Sequence, residues 1–147
     1  MSYRKLPLLV LVVAVLVTGT ASETDATVAS KRDRMLSLLN QTRRSHGLPA
    51  FRLNLALSKE AQSHSRVMAN RNRLFHTTNL WSCVSAYSPS TWGENVGYAG
   101  SLRRIATLWM QSSGHRANIL NGRFRRIGIG VVKARGVFWL TTIFYGG

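Results

Sequence analysis

The sequence predicts an α+β domain in which helices come first and pack on a small antiparallel sheet that ends in a C-terminal hairpin. Three observations lead to that reading. Apolar residues keep three-and-four spacing along two stretches between residues 31 and 73, and from Ile127 onward the period changes to two. The chain has 147 residues, 45% hydrophobic and 17% charged, which gives room for one globular domain.

Each element has its own signal. Ser30 stands three residues before Asp33 in a capping-box-like start, Met35, Leu36, Leu38 and Leu39 form a broad helical face, and His46-Gly47 before Pro49 stops it. A helix is therefore expected from about Lys31 to His46. A second should follow Asn54, because Leu57, Ala61, His64, Ser65 and Met68 share one stripe, with Arg66, Arg71 and Arg73 on its solvated side and end. From Thr77 to Trp92 there is no period; Pro89, many hydroxyls and two tryptophans indicate a long loop with room for one short helix. Ser101 can cap a third helix with Ile105, Leu108 and Trp109 facing inward, and Ser113 a short one through Leu120. Then Ile127, Ile129 and Val131 alternate with small residues, Ala134-Arg135-Gly136 supplies turn chemistry, and Val137 to Phe144 is β-branched and aromatic. That is an antiparallel hairpin.

Ahead of these elements, Arg4 and Lys5 precede an apolar run from Leu6 to Val17, broken only by Pro7, and Gly19-Thr20-Ala21 offers a cleavage point. Residues 1–21 read as a cleaved signal peptide, 22–29 as a flexible leader and 30–147 as the domain. The apolar run falls short of the ~20 residues of a spanning helix, so a secreted or envelope protein with no transmembrane anchor is expected. One cysteine, Cys83, cannot form a bridge within the chain and reads as a partly buried thiol.

The 20 Lys and Arg outnumber the 5 Asp and Glu, for a formal charge of +15. Such a field favours anionic surfaces, including envelope polymers, although a solvated Arg-biased surface is the simpler reading. No basic motif interleaved with aromatics argues for specific nucleic-acid reading.

Few residues can carry chemistry. Glu23 and Asp25 fall in the leader, Asp33 caps a helix and Glu60 lies on a polar face, so Glu94, between Gly93 and Gly97, has no structural task. His76 follows Phe75 at a helix end and His115 opens a helix, so three element ends can converge on one cleft. Ser112, His115 and Glu94 could suggest a nucleophilic triad, but no Gly-x-Ser-x-Gly elbow accompanies them. The plain structural alternative is a buried Glu94 satisfied by neighbouring imidazoles. Asn95 and Asn118 read as backbone-bonding residues, Trp109 as core, His64 and His46 as satisfied helix residues, and Arg116 as either a partner of Glu94 or a surface charge.

Leu39-Asn40-x-x-Arg43 with Gly47-Leu48, Phe75-His76, Gly93-Glu94-Asn95-Val96, and Trp109-Met110-x-Ser112-x-Gly114-His115-Arg116-x-Asn118-Ile119-Leu120 stand in one order. With Gly128-Ile129-Gly130 and Phe138-Trp139, they resemble the CAP superfamily (SCP domain; cysteine-rich secretory protein, antigen 5, pathogenesis-related protein), in its short bacterial form. The resemblance covers about Arg34 to Tyr145. It implies a three-layer α-β-α sandwich and a cleft in which His76, Glu94 and His115 match metal ligands, often for zinc, with Ser112, Asn95 and Arg116 lining it. Where many relatives have a second Glu, this chain has Ser112. A monomeric extracellular protein that binds a ligand is expected, and the resemblance adds lipids to the candidate ligands. A metal-assisted hydrolase of peptide or ester bonds, using Glu94 and His115, and a basic adhesin for anionic envelope polymers are the alternatives.

Overall fold

The computed structural model describes residues 24–147; the expected signal peptide and the first two residues of the expected leader lie outside them. Helix α1 runs Asp25–Ser45, strand β1 Arg52–Leu53, α2 Leu55–Arg71, α3 Leu80–Val84, β2 Thr91–Ala99, α4 Leu102–Gln111, α5 Ser113–Ile119, β3 Arg126–Ala134 and β4 Val137–Gly146. The strands form one sheet in the order β1-β3-β4-β2. β2 and β3 flank β4 antiparallel, whereas β1 pairs with β3 in parallel, Arg52 with Arg126 and Leu53 with Ile127. The sheet is thus mixed rather than antiparallel. A two-residue strand has no periodicity to read, which is why β1 has no sequence signal.

Alternation of side chains divides the sheet into two faces. One carries Ile127, Ile129, Val131, Leu140 and Phe144, and packs with Met35 and Leu39 of α1, Ile105 and Trp109 of α4 and Ile119 of α5. The other carries Ile143, which meets Leu57 and Ala61 of α2 and Val84 of α3, and Trp139, which packs with Met68 and Ala69. The result is an α-β-α sandwich of three layers.

α2 lies against the sheet because two glycines leave room for it. A Cβ on Gly130 would fall 2.1–2.2 Å from the backbone of Ala61 and Gln62, and one on Gly128 2.6–2.8 Å from Leu57. The helix also closes the edge of β3 beyond β1. Ile129 N–H donates to Ser58 Oγ at 3.1 Å, and Val131 exchanges two bonds with the Gln62 amide, at 2.7 and 2.9 Å. Edge groups that would otherwise invite another strand are satisfied from above.

Arg43 joins α1 to the far end of the domain. Its side chain is wholly buried, lies 4.0 Å from the centre of the Phe51 ring, and donates to the carbonyls of Pro49, Ile119, Asn121 and Phe124 at 2.7–3.1 Å. Burial, with Arg125 nearby, lowers its guanidinium to about 10, so it stays charged at neutral pH.

Several expectations need correction. α1 begins at Asp25, capped by Thr24, so residues 25–29 of the expected flexible leader are helical; Asp25 in the first turn suits the helix dipole, and Val28 and Ala29 line a hollow against α2. In α4 the buried stripe is Leu102, Ile105 and Trp109, while Leu108 is 38% exposed; at about 100° per residue it stands a further ~60° round the helix than Ile105. Ser112, not Ser113, occupies the cap position of α5, and its side chain makes no capping bond there. The segment expected as a long loop ends at Ser90, since Thr91–Ala99 is a strand. The hairpin agrees with its signal: Arg135 (φ +50°) and Gly136 (φ +76°) make the two-residue turn that strand twist favours.

Candidate functional site

β2 is an edge strand, and the candidate residues gather along its unpaired side. Its carbonyls there are taken by side chains of the helical layer: Asn118 Nδ2 donates to Glu94 O and Trp109 Nε1 to Val96 O, both at 3.1 Å. Gly93 and Gly97 make this possible, because a Cβ at either would sit 2.8–2.9 Å from Asn118 Oδ1 or Trp109 Nε1. Asn118 also donates to Asn95 Oδ1 at 2.8 Å, and Asn95 Nδ2 to His115 O at 3.0 Å. The two asparagines fasten α5 to β2, in the backbone-bonding role their sequence context indicates.

Glu94 points to the other face. Its side chain is 3% exposed, and its carboxylate accepts from His76 Nδ1 at 2.7 Å, Thr77 N–H at 2.9 Å and the Thr77 hydroxyl. His76 arrives there because Asn72, in the left-handed conformation (φ +48°), ends α2 and turns the chain back. The imidazole itself is 63% exposed. Since a carboxylate only accepts, the proton of neutral His76 is on Nδ1 and Nε2 presents a lone pair. Thr77 has no mark in the sequence beyond a hydroxyl beside His76; a buried carboxylate needs several donors, and that need is the one signal that could have found it.

His115 belongs to the opposite layer. Its Nδ1 meets Ser112 Oγ at 2.8 Å, and its ring lies 6.0 Å from that of Trp109, nearly parallel. Burial first, and then nearby His76, lowers its pKa from the usual 6.5. The histidines therefore sense one another across the edge of β2. Arg116 is exposed, and Glu94 is satisfied by His76 and Thr77 instead. The arrangement holds two separate pairs, Glu94 with His76 and Ser112 with His115, and no Ser-His-Glu relay.

Among the described residues, no three His, Cys, Asp or Glu side chains form a group that could hold a metal ion. Glu94 accepts from Thr77 and from His76 Nδ1, and no hydrogen bond joins it to His115. Of the remaining histidines, His64 Nε2 donates to Phe75 O and His46 Nδ1 to Thr42 O, both at 2.8 Å, as satisfied residues should. Cys83 lies on α3, half-buried, and burial raises its thiol pKa.

A pH dependence follows from His115. The unfolded chain binds its proton near pH 6.5 and the folded chain only below that. In chelator, stability should be complete above that value and decline as pH falls beneath it. Urea unfolding at about pH 7.5 and about pH 5 measures the difference, and His115→Asn should reduce it; an undiminished decline in that variant would assign it to another group.

A CAP-type sandwich whose helical layers meet across the edge of a Gly-Glu-Asn strand is the class that fold and site define. The chain belongs to the cysteine-rich secretory protein family (CAP), whose model matches residues 36–144. It is 30% identical over 129 residues to the uncharacterized protein YkwD of Bacillus subtilis (strain 168), covering 83% of this chain and 50% of that one. Among solved structures, an extracellular protein containing a SCP domain from Bacillus anthracis superposes with a TM-score of 0.68 at 25% identity, over 82% of this chain and 42% of the other. An outer surface protein of Borrelia burgdorferi gives a TM-score of 0.71 at 18% identity, over 80% of this chain and 92% of the other, a likeness of fold alone. The chain spans about half the length of the curated relative it matches.

Proposed function

We propose that this protein is an exported, non-catalytic ligand-binding module whose β2-edge cleft takes up a divalent cation through the Nε2 atoms of His76 and His115. The observation that carries the reading is that both Nδ1 atoms are engaged, by Glu94 and by Ser112, which leaves each Nε2 as the nitrogen available to a ligand. Glu94 then acts behind His76, in the carboxylate–imidazole arrangement that orients a ligating histidine. The engaged Nδ1 atoms support a two-imidazole set, and among the described residues no three His, Cys, Asp or Glu side chains form a group that could hold a metal. A bound zinc ion would supply a Lewis acid with positions open to a ligand such as a carboxylate. The split into two pairs supports binding over turnover, since no base is placed to activate Ser112 with Glu94 behind it. The cationic start and apolar run at residues 4–17 support export.

The test is calorimetric titration with zinc. Wild type should bind one equivalent; His76→Ala and His115→Ala should each abolish binding, and Glu94→Gln should weaken it by about 10–100-fold through loss of orientation. Equal affinity in wild type and the His76→Ala/His115→Ala variant would overturn the proposal. Turnover on a peptide or ester panel, lost in Glu94→Gln, would replace it with the hydrolase reading.

A further inference from the structure

At one end of the sheet a single row of side chains crosses all four strands. Register places Arg52 beside Arg126, Arg126 beside Tyr145 and Tyr145 beside Trp92. Paired residues project to the same face, so these four form one stripe, about 14 Å long at the ordinary strand spacing. Two further rings extend it. Trp81 of α3 packs on Trp92 with ring centres 4.8 Å apart, and Tyr87 stacks on Tyr145 at 4.9 Å.

The two ends of the stripe differ in chemistry. At one end, Arg52 and Arg126 line a hollow of about 580 Å³. Both are exposed, and among the described residues neither has a carboxylate within ion-pairing distance. At the other, Trp81 and Trp92 remain 47% and 41% exposed although they touch each other. Paired indoles left in water, beside unpaired guanidinium groups, mark a recognition surface rather than a packing accident.

We propose that this stripe binds a linear acidic polysaccharide, with a sugar ring lying flat on Trp81 and Trp92 and acidic groups further along the chain paired with Arg52 and Arg126. A neutral glycan would have no use for the arginines, and a simple polyanion none for the indoles. A polymer of acidic pyranose units offers both an apolar C–H face and regularly spaced anions. The rings also close on one another. The indoles meet at 50° and the tyrosines at 15°, each pair in contact, so they present outer faces and no slot for a nucleic-acid base to enter. The carboxylate–imidazole pair of Glu94 and His76 is not part of the stripe but lies next to it, Glu94 being two residues beyond Trp92 on the same face of β2.

The experiment is equilibrium binding of the full chain to size-fractionated polygalacturonate at about 50 mM salt, repeated at higher salt. Trp81→Ala/Trp92→Ala should weaken binding about tenfold or more, and Trp81→Phe/Trp92→Phe should retain most of it. Arg52→Ser/Arg126→Ser should weaken it comparably and flatten its salt dependence. Arg103→Ser/Arg104→Ser, with the same charge loss on α4 in the opposite layer, should leave it unchanged. Circular dichroism and urea midpoints establish that each variant is folded. Affinity within twofold of wild type in the Trp→Ala pair would overturn the proposal, as would equal weakening by the α4 pair, which means a diffuse electrostatic surface. Tighter binding of oligothymidylate with the same Trp dependence would assign the stripe to single-stranded nucleic acid instead, and equal binding of neutral dextran would remove the arginines from it.

Discussion

Arg43→Met is expected to lower the unfolding free energy by about 2.5–7.5 kcal/mol, since it orphans one buried carbonyl at ~1–3 kcal/mol and removes three further bonds worth ~0.5–1.5 kcal/mol each. The orphan is that of Ile119; the carbonyl of Phe124 keeps a longer bond from Arg125 Nη1, and those of Pro49 and Asn121 are partly solvated. Stacking on Phe51 is lost as well. Against the ~5–15 kcal/mol that a domain of this kind has in total, the variant should be marginal at 37 °C. Arg43→Lys should fall between it and wild type, because one ammonium cannot reach four carbonyls that a planar guanidinium spans. Urea unfolding followed by circular dichroism reads both. A midpoint for Arg43→Met equal to wild type would mean that water replaces the guanidinium at no cost, and the account of Arg43 as the tie between α1 and residues 119–124 would fail.

Gly130→Ala should be comparably damaging for a different reason. The added carbon would lie 2.1 Å from the Ala61 carbonyl carbon and 2.2 Å from its oxygen, and backbone cannot step aside as a flexible side chain does. α2 must lift, at a cost expected to exceed the ~1–3 kcal/mol of ordinary overpacking. The effect should reach the site, because α2 ends in the turn that delivers His76 and Thr77 to Glu94. The variant should therefore show both a lowered urea midpoint and a changed His76 imidazole signal by NMR. If the midpoint falls and that signal stays at its wild-type position, the seating of α2 is not what positions His76.

Much of this architecture was legible in one dimension. Asn54 as a cap, the stripe from Leu57 to Met68 and the Arg135-Gly136 turn are local signals, set by hydrogen bonds and dihedral preferences within a few residues. Glu94 stood out because it lacks a structural task in the sequence, and the structure gives it one, as acceptor from His76 and Thr77. β2 was not legible. Only its middle, Glu94 to Val96, is buried, glycines replace the apolar alternation, and Asn118 and Trp109 supply bonds a neighbouring strand would otherwise make; no pattern within residues 91–99 encodes that. Ser112 stands between α4 and α5 and is also the partner of His115.

The sequence by itself determined the helices, the hairpin, the excess of cationic side chains and the few groups able to do chemistry, because propensity, periodicity and composition are properties of neighbours along the chain. Only the tertiary structure decided that Glu94 pairs with His76 while His115 pairs with Ser112, and that Arg52, Arg126, Tyr145 and Trp92 form one row. Those relations depend on strand order and on which face of the sheet each side chain meets. Both are settled by the packing of helices against Gly93, Gly97, Gly128 and Gly130, whose missing side chains register only when another element comes to lie upon them.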